Sequence, residues 1–136
     1  MIDTSGKWWK GQNPDDIIEF LKSWSAECGY DTELYEPHKC KKCGETLFTV
    51  EGKWDEQLYR VTCAKCNETD YIEDSADLWN EVTEKTKKFK CKGHSLFYIT
   101  LGYALREDQS KKVLFIGYLC SECGILGCFD DYIMLR

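Results

Sequence analysis

Two pairs of cysteines, Cys40-Lys41-Lys42-Cys43 and Cys63-Ala64-Lys65-Cys66, stand with nineteen residues between them, and no other feature narrows the possible folds of this chain so far. Two thiolates three positions apart on a tight turn can reach one metal ion at about 2.3 Å, and a second such turn completes a tetrahedron. Gly44 follows the first pair, where a left-handed residue turns backbone N–H groups toward the sulfurs. Asn67, the next most tolerant residue type, holds the equivalent place after the second.

A second set follows. Cys91-Lys92-Gly93-His94 is a C-x2-H pair, and Cys120-Ser121-Glu122-Cys123-Gly124 lies twenty-five residues beyond it. Three cysteines and a histidine make a structural zinc set. Cys91, His94, Cys120 and Cys123 are therefore expected to hold a second ion. A shift of 57 positions overlays Cys63 and Cys66 on Cys120 and Cys123, and Leu58–Thr62 on Phe115–Leu119. One metal per repeated unit follows from that overlay. Cys28, on the apolar face of a predicted helix, and Cys128, in the place of Tyr71, read as small buried hydrophobes. His38, two residues before Cys40, could replace a ligand if one cysteine pointed elsewhere.

Nine cysteines, an odd number, with no apolar leader in the first residues, favour metal over a disulfide framework and predict a cytoplasmic protein. No apolar run is long enough for a transmembrane helix. The formal net charge of −6 would reach roughly −9 once thiolates bind two zinc ions, which argues against a nucleic acid or an anionic membrane as the main partner. The basic run Lys85, Lys87, Lys88 and Lys90 is the local exception, readable as a solvated linker or as a contact for nucleic acid or another partner.

Residues 40–74 and 91–131 resemble zinc ribbons, knuckle-and-hairpin modules found in transcription, translation and regulatory proteins. The second departs from the pattern in His94 and in Ser95, where a glycine is common. The layout of a Trp-Trp opening, one helix and two ribbons is also similar to that of small bacterial zinc-ribbon proteins, a likeness that supplies no activity. The resemblance implies two tandem ribbons, each a knuckle with a three-stranded β unit.

The fold class expected is mainly β (small α+β). An N-terminal helical segment spans 1–39, zinc ribbon 1 spans 40–74, a helical and basic linker 75–90, and zinc ribbon 2 spans 91–136. Asn13-Pro14-Asp15-Asp16 is a helix start, with Asn as N-cap, Pro at the first helical position and two acids facing the positive dipole end. Ile17, Phe20, Leu21, Trp24 and Cys28 recur on one face, and Gly29 ends the helix. Asp74 or Ser75 is expected to cap a short helix through Leu78, Trp79 and Val82.

Both four-ligand sets are closed, so two structural Zn2+ ions per chain and no enzymatic activity are expected. H-E-x-x-H, P-loop and dinucleotide-binding patterns are absent. Aromatics make up 14% of the chain with five Trp, enough to furnish both a small core and an interface. Two functions fit: a non-enzymatic interaction module, in its sharper form a bacterial inhibitor or immunity-type protein for a basic partner, or a nucleic-acid-binding regulator. An iron site of the rubredoxin kind and a thiol-disulfide enzyme fit less well, given His94 and occupied thiolates.

Overall fold

The computed structural model describes residues 2–73 and 75–135, with the backbone alone at residue 131. In chain order the elements are α1 (Asp15–Glu27), β1 (Leu34–Pro37), β2 (Leu47–Lys53), β3 (Leu58–Cys63), β4 (Thr69–Tyr71), α2 (Ser75–Leu78), β5 (Lys87–Lys88), β6 (Phe97–Leu105), β7 (Lys111–Cys120) and β8 (Leu126–Met134). The chain is mainly β, with antiparallel strands and one substantial helix. No helix is long and apolar enough to cross a membrane. The chain divides into two compact units, one made of 39–97 and the other of 2–38 with 98–135.

In the discontinuous unit, β6 lies beside β7 and β7 beside β8, while β1 pairs antiparallel with β6 from Leu34↔Tyr103 to Pro37↔Thr100. The helix forms where its caps predict. The Asp15 N–H donates to Asn13 Oδ1 at 3.0 Å, and Asp16 Oδ2 accepts from the N–H groups of Gln12 and Asn13 at 2.7 and 3.3 Å. Asn13 and Asp16, the second residue of α1, thus satisfy N–H groups on either side of Pro14 in the reciprocal manner of a capping box. At the other end Gly29 takes φ +88°, and Tyr30 N–H closes on Ser25 O while Gly29 N–H closes on Ala26 O. That pair of bonds is the Schellman ending.

The Gln12 N–H bond, opposed by burial and helped by Asn13 N–H, holds the Asp16 carboxyl below its usual range. A depressed folded pKa adds stability above the unfolded value, and that stability is lost as pH falls through the folded one. Asp16→Asn is thus expected to cost about 1 kcal/mol at pH 7. The gap from wild type should begin to narrow below about pH 4, the unfolded value, and go on narrowing as pH falls through the lower folded one. Urea denaturation at pH 7 and pH 3 measures both.

The apolar face of α1 packs on β7 and β8 around Ile17, Phe20, Leu21, Val113, Phe115 and Leu126. Gly117 makes this possible. A Cβ there would sit 2.6 Å from Ile17 Cγ2 and 3.0 Å from both Leu21 methyls, so the helix rests directly on the strand backbone. Trp24 and Cys28 are half-buried at the edge of the same cluster.

β8 runs further than its composition suggests. Asp130 takes φ +54° and the register shifts between Leu114↔Ile133 and Ile116↔Phe129. The resulting bulge lets pairing resume past Phe129 and on to Met134.

In the other unit β2, β3 and β4 form an antiparallel meander, Phe48↔Cys63 to Lys53↔Leu58 and then Arg60↔Tyr71 to Thr62↔Thr69. β5 adds to the free side of β2 through Glu51↔Lys88 and Gly52↔Lys87. The short helix ends at Leu78, four residues before the expected Val82, and Asp74 lies outside the described residues. Ser75 Oγ accepts from Tyr59 N–H at 3.0 Å, which ties the helix start to β3. Lys53, buried to 7% exposure, donates its ammonium protons to Trp79 O and Val82 O and lies 5.1 Å from the Trp79 ring centroid. Those carbonyls follow the helix and find a cation in place of further helical turns.

Candidate metal centre

Three of the four ligand turns share one design. Cys40 N–H donates to Glu45 O, Cys63 N–H to Glu68 O, and Cys120 N–H to Ile125 O, at 2.8, 2.8 and 2.9 Å. Four residues on, Gly44, Asn67 and Gly124 N–H groups return to the carbonyls of Cys40, Cys63 and Cys120. Each closing residue is left-handed, at φ +80°, +64° and +77°. Only glycine, and to a lesser degree asparagine, adopts that conformation cheaply. The repeat read from the 57-residue shift is therefore visible in hydrogen bonds as well as in spacing.

The fourth turn differs. Cys91 and His94 exchange both backbone hydrogen bonds at 2.8 Å, and Lys92 and Gly93 both take positive φ, +50° and +84°. This is a two-residue hairpin turn of the I′ type. Ser95 stands where the other turns have glycine or asparagine, and here the left-handed residues are instead Lys92 and Gly93, three and two positions before it.

Cys40, Cys43, Cys63 and Cys66 bring their sulfurs within 4.8 Å of one another. Cys40 Sγ lies 3.5 Å from Cys66 Sγ, and Cys43 Sγ 3.4 Å from Cys63 Sγ. A disulfide requires about 2.05 Å, so these are not cross-links. Four sulfurs at about 2.3 Å from a central ion stand roughly 3.8 Å apart, close to what is observed. The donors fit a tetrahedral thiolate site, and they fill it.

The electrostatics show what the cluster lacks by itself. The Cys43 N–H groups and those of Lys42, against burial, lower the Cys40 thiol. Burial opposes but does not outweigh the N–H groups of Cys66 and Lys65, which bring Cys63 down to about 7. The Glu45 N–H favours the Cys43 thiolate, yet burial and the thiols of Cys63, Cys66 and Cys40 push it up to about 12. Cys66 is raised in the same way: the Glu68 N–H lowers it, while burial and the thiols of Cys40 and Cys63 prevail. Four thiolates at this spacing repel one another, and a divalent cation removes the conflict.

Cys91, in the 39–97 unit, and Cys120 and Cys123, in the other, carry the further thiols that the sequence spacing groups as a second set. His94 shares the 39–97 unit with Cys91 and exchanges both backbone hydrogen bonds with it across the turn. His38 is not needed at the first site. Its N–H donates to Ile99 O at 2.8 Å, extending the β1–β6 ladder by one residue. Cys28 and Cys128 pack beside the α1 core, as small hydrophobes do. Lys85, Lys87, Lys88 and Lys90 are all exposed, and two of them form β5. No family model matches the chain, and neither a curated protein nor a solved structure matches it.

Proposed function

We propose that this chain is a non-enzymatic zinc-binding module that docks another protein. Two structural Zn2+ ions are assigned, one to the cluster of Cys40, Cys43, Cys63 and Cys66, the other, on sequence spacing alone, to Cys91, His94, Cys120 and Cys123. The observation that carries the reading is the first cluster, where four thiols occupy every position of a tetrahedron and leave none for water or substrate. The net charge of −6 and Trp8, 51% exposed, suit a basic partner, as for an inhibitor or immunity-type protein.

The test has two stages. Elemental analysis of the native protein should find two zinc equivalents per chain. Affinity capture from the native host, followed by titration of the purified partner, should give a complex that weakens steeply as salt rises. A protein with less than one zinc equivalent, or with no protein partner, sinks the reading.

The exposed strip Lys85, Lys87, Lys88 and Lys90, held in place by β5–β2 pairing, supports a second reading, nucleic-acid binding in transcription. Phosphate contacts are strongest at low salt, so a gel shift absent there removes it.

A further inference from the structure

Within the unit formed by 2–38 and 98–135, α1, the segment before it, Tyr118 of β7 and the first part of β8 line an open groove of about 380 Å³. That is within the size range of small-ligand sites. Its walls are unusually aromatic, with Trp8, Trp9, Trp24 and Tyr118, and Glu27 and Lys7 at its polar edge. Trp9 meets Phe20 edge-on at 5.9 Å and 79°, whereas Trp24 stacks on Phe20 at 5.8 Å and 23°. The planes of Trp9 and Trp24 therefore stand steeply to each other and wall a corner instead of a flat strip. The Tyr118 ring covers Gly127, where any Cβ would strike the phenol.

Two observations name the charge that suits this corner. The chain itself places an ammonium on an adjoining wall of the groove: Lys7 Nζ lies 5.2 Å from the centroid of the Trp8 ring. That is inside the roughly 6 Å reach of cation–π attraction. Glu27, exposed at the edge, supplies a carboxylate that no hydrogen bond or ion pair engages among the described residues. A bare ammonium would lose strong hydration here for few acceptors. An N-methylated one keeps its charge, offers apolar surface to the rings and needs no hydrogen bond.

We propose that this groove binds a quaternary ammonium group of the kind choline carries, with Trp9, Trp24 and Tyr118 around the methyl groups and Glu27 as counter-charge. The proposal does not depend on the metal sites or on the protein-docking reading.

The test titrates the metal-loaded full chain with choline and with 3,3-dimethyl-1-butanol, which has the same shape without the charge. Binding is read from tryptophan fluorescence and the indole N–H resonances. Choline should perturb Trp9 and Trp24 and bind at least roughly tenfold more tightly than the alcohol. Glu27→Gln, at an exposed position, should weaken choline several-fold and leave the alcohol unchanged. Lys7→Ala should tighten choline by removing a competing cation. A trimethyllysine peptide, titrated in parallel, shows by its rank against choline whether the group comes from a free metabolite or a modified protein tail. Equal binding of choline and the alcohol, or no response to either, overturns the proposal.

Discussion

Cys63→Ser is expected to unfold the 39–97 unit at neutral pH. A unit of this size buries only about 60% of its unfolded surface and is marginal without help. Zinc held by thiolates contributes roughly 10–16 kcal/mol of apparent binding free energy, as much as or more than the 5–15 kcal/mol that keeps ordinary domains folded. Cys63 is a demanding position, because its sulfur lies 3.4 Å from Cys43 Sγ and accepts from the N–H groups of Lys65 and Cys66. Serine keeps the shape and loses the thiolate. Zinc content should fall by one equivalent, and amide resonances of the unit should collapse to random-coil positions. Chelation of the wild type should do the same reversibly. Cys28→Ser, outside both ligand sets, should leave zinc content unchanged.

Leu21→Ala should be the most damaging single change in the other unit. Leu21 is 0% exposed, and its methyls lie 3.1 Å from the Cβ position of Gly102 and 3.0 Å from that of Gly117. Leu→Ala in a core costs about 2–5 kcal/mol, the larger values going to sites that cannot collapse. Here two walls of the new cavity are strand backbone, which cannot lean in, so about 4 kcal/mol is expected. Urea denaturation should show the midpoint falling with an unchanged slope.

What could be read in advance was whatever depends on neighbours in sequence. Asn13-Pro14-Asp15-Asp16 and Gly29 bound α1 through bonds that span two to five residues. The Cys40, Cys63 and Cys120 turns likewise close on themselves. What was hidden depends on distant partners. Lys53, a lysine between Gly52 and Trp54, is buried because Trp79 O and Val82 O, 26 and 29 positions on, receive its ammonium. Two consecutive aspartates, Asp130 and Asp131, disfavour a strand, and only pairing with Val113 and Leu114 brings the chain back into the ladder beyond them. The Trp8–Trp24 groove was equally invisible, because a tryptophan count does not say which rings share a corner.

The two-part make-up of the 2–38 and 98–135 unit sets an order of events during translation. The apolar face of α1 leaves the ribosome early, but the strands it covers are about 100 residues downstream. At about 5–20 residues per second, the nascent helix waits on the order of 5–20 seconds for β7 and β8 to emerge. Throughout that interval Ile17, Phe20 and Leu21 are open to chaperones. The β2–β4 meander with its four clustered thiols, continuous in sequence, can meanwhile close.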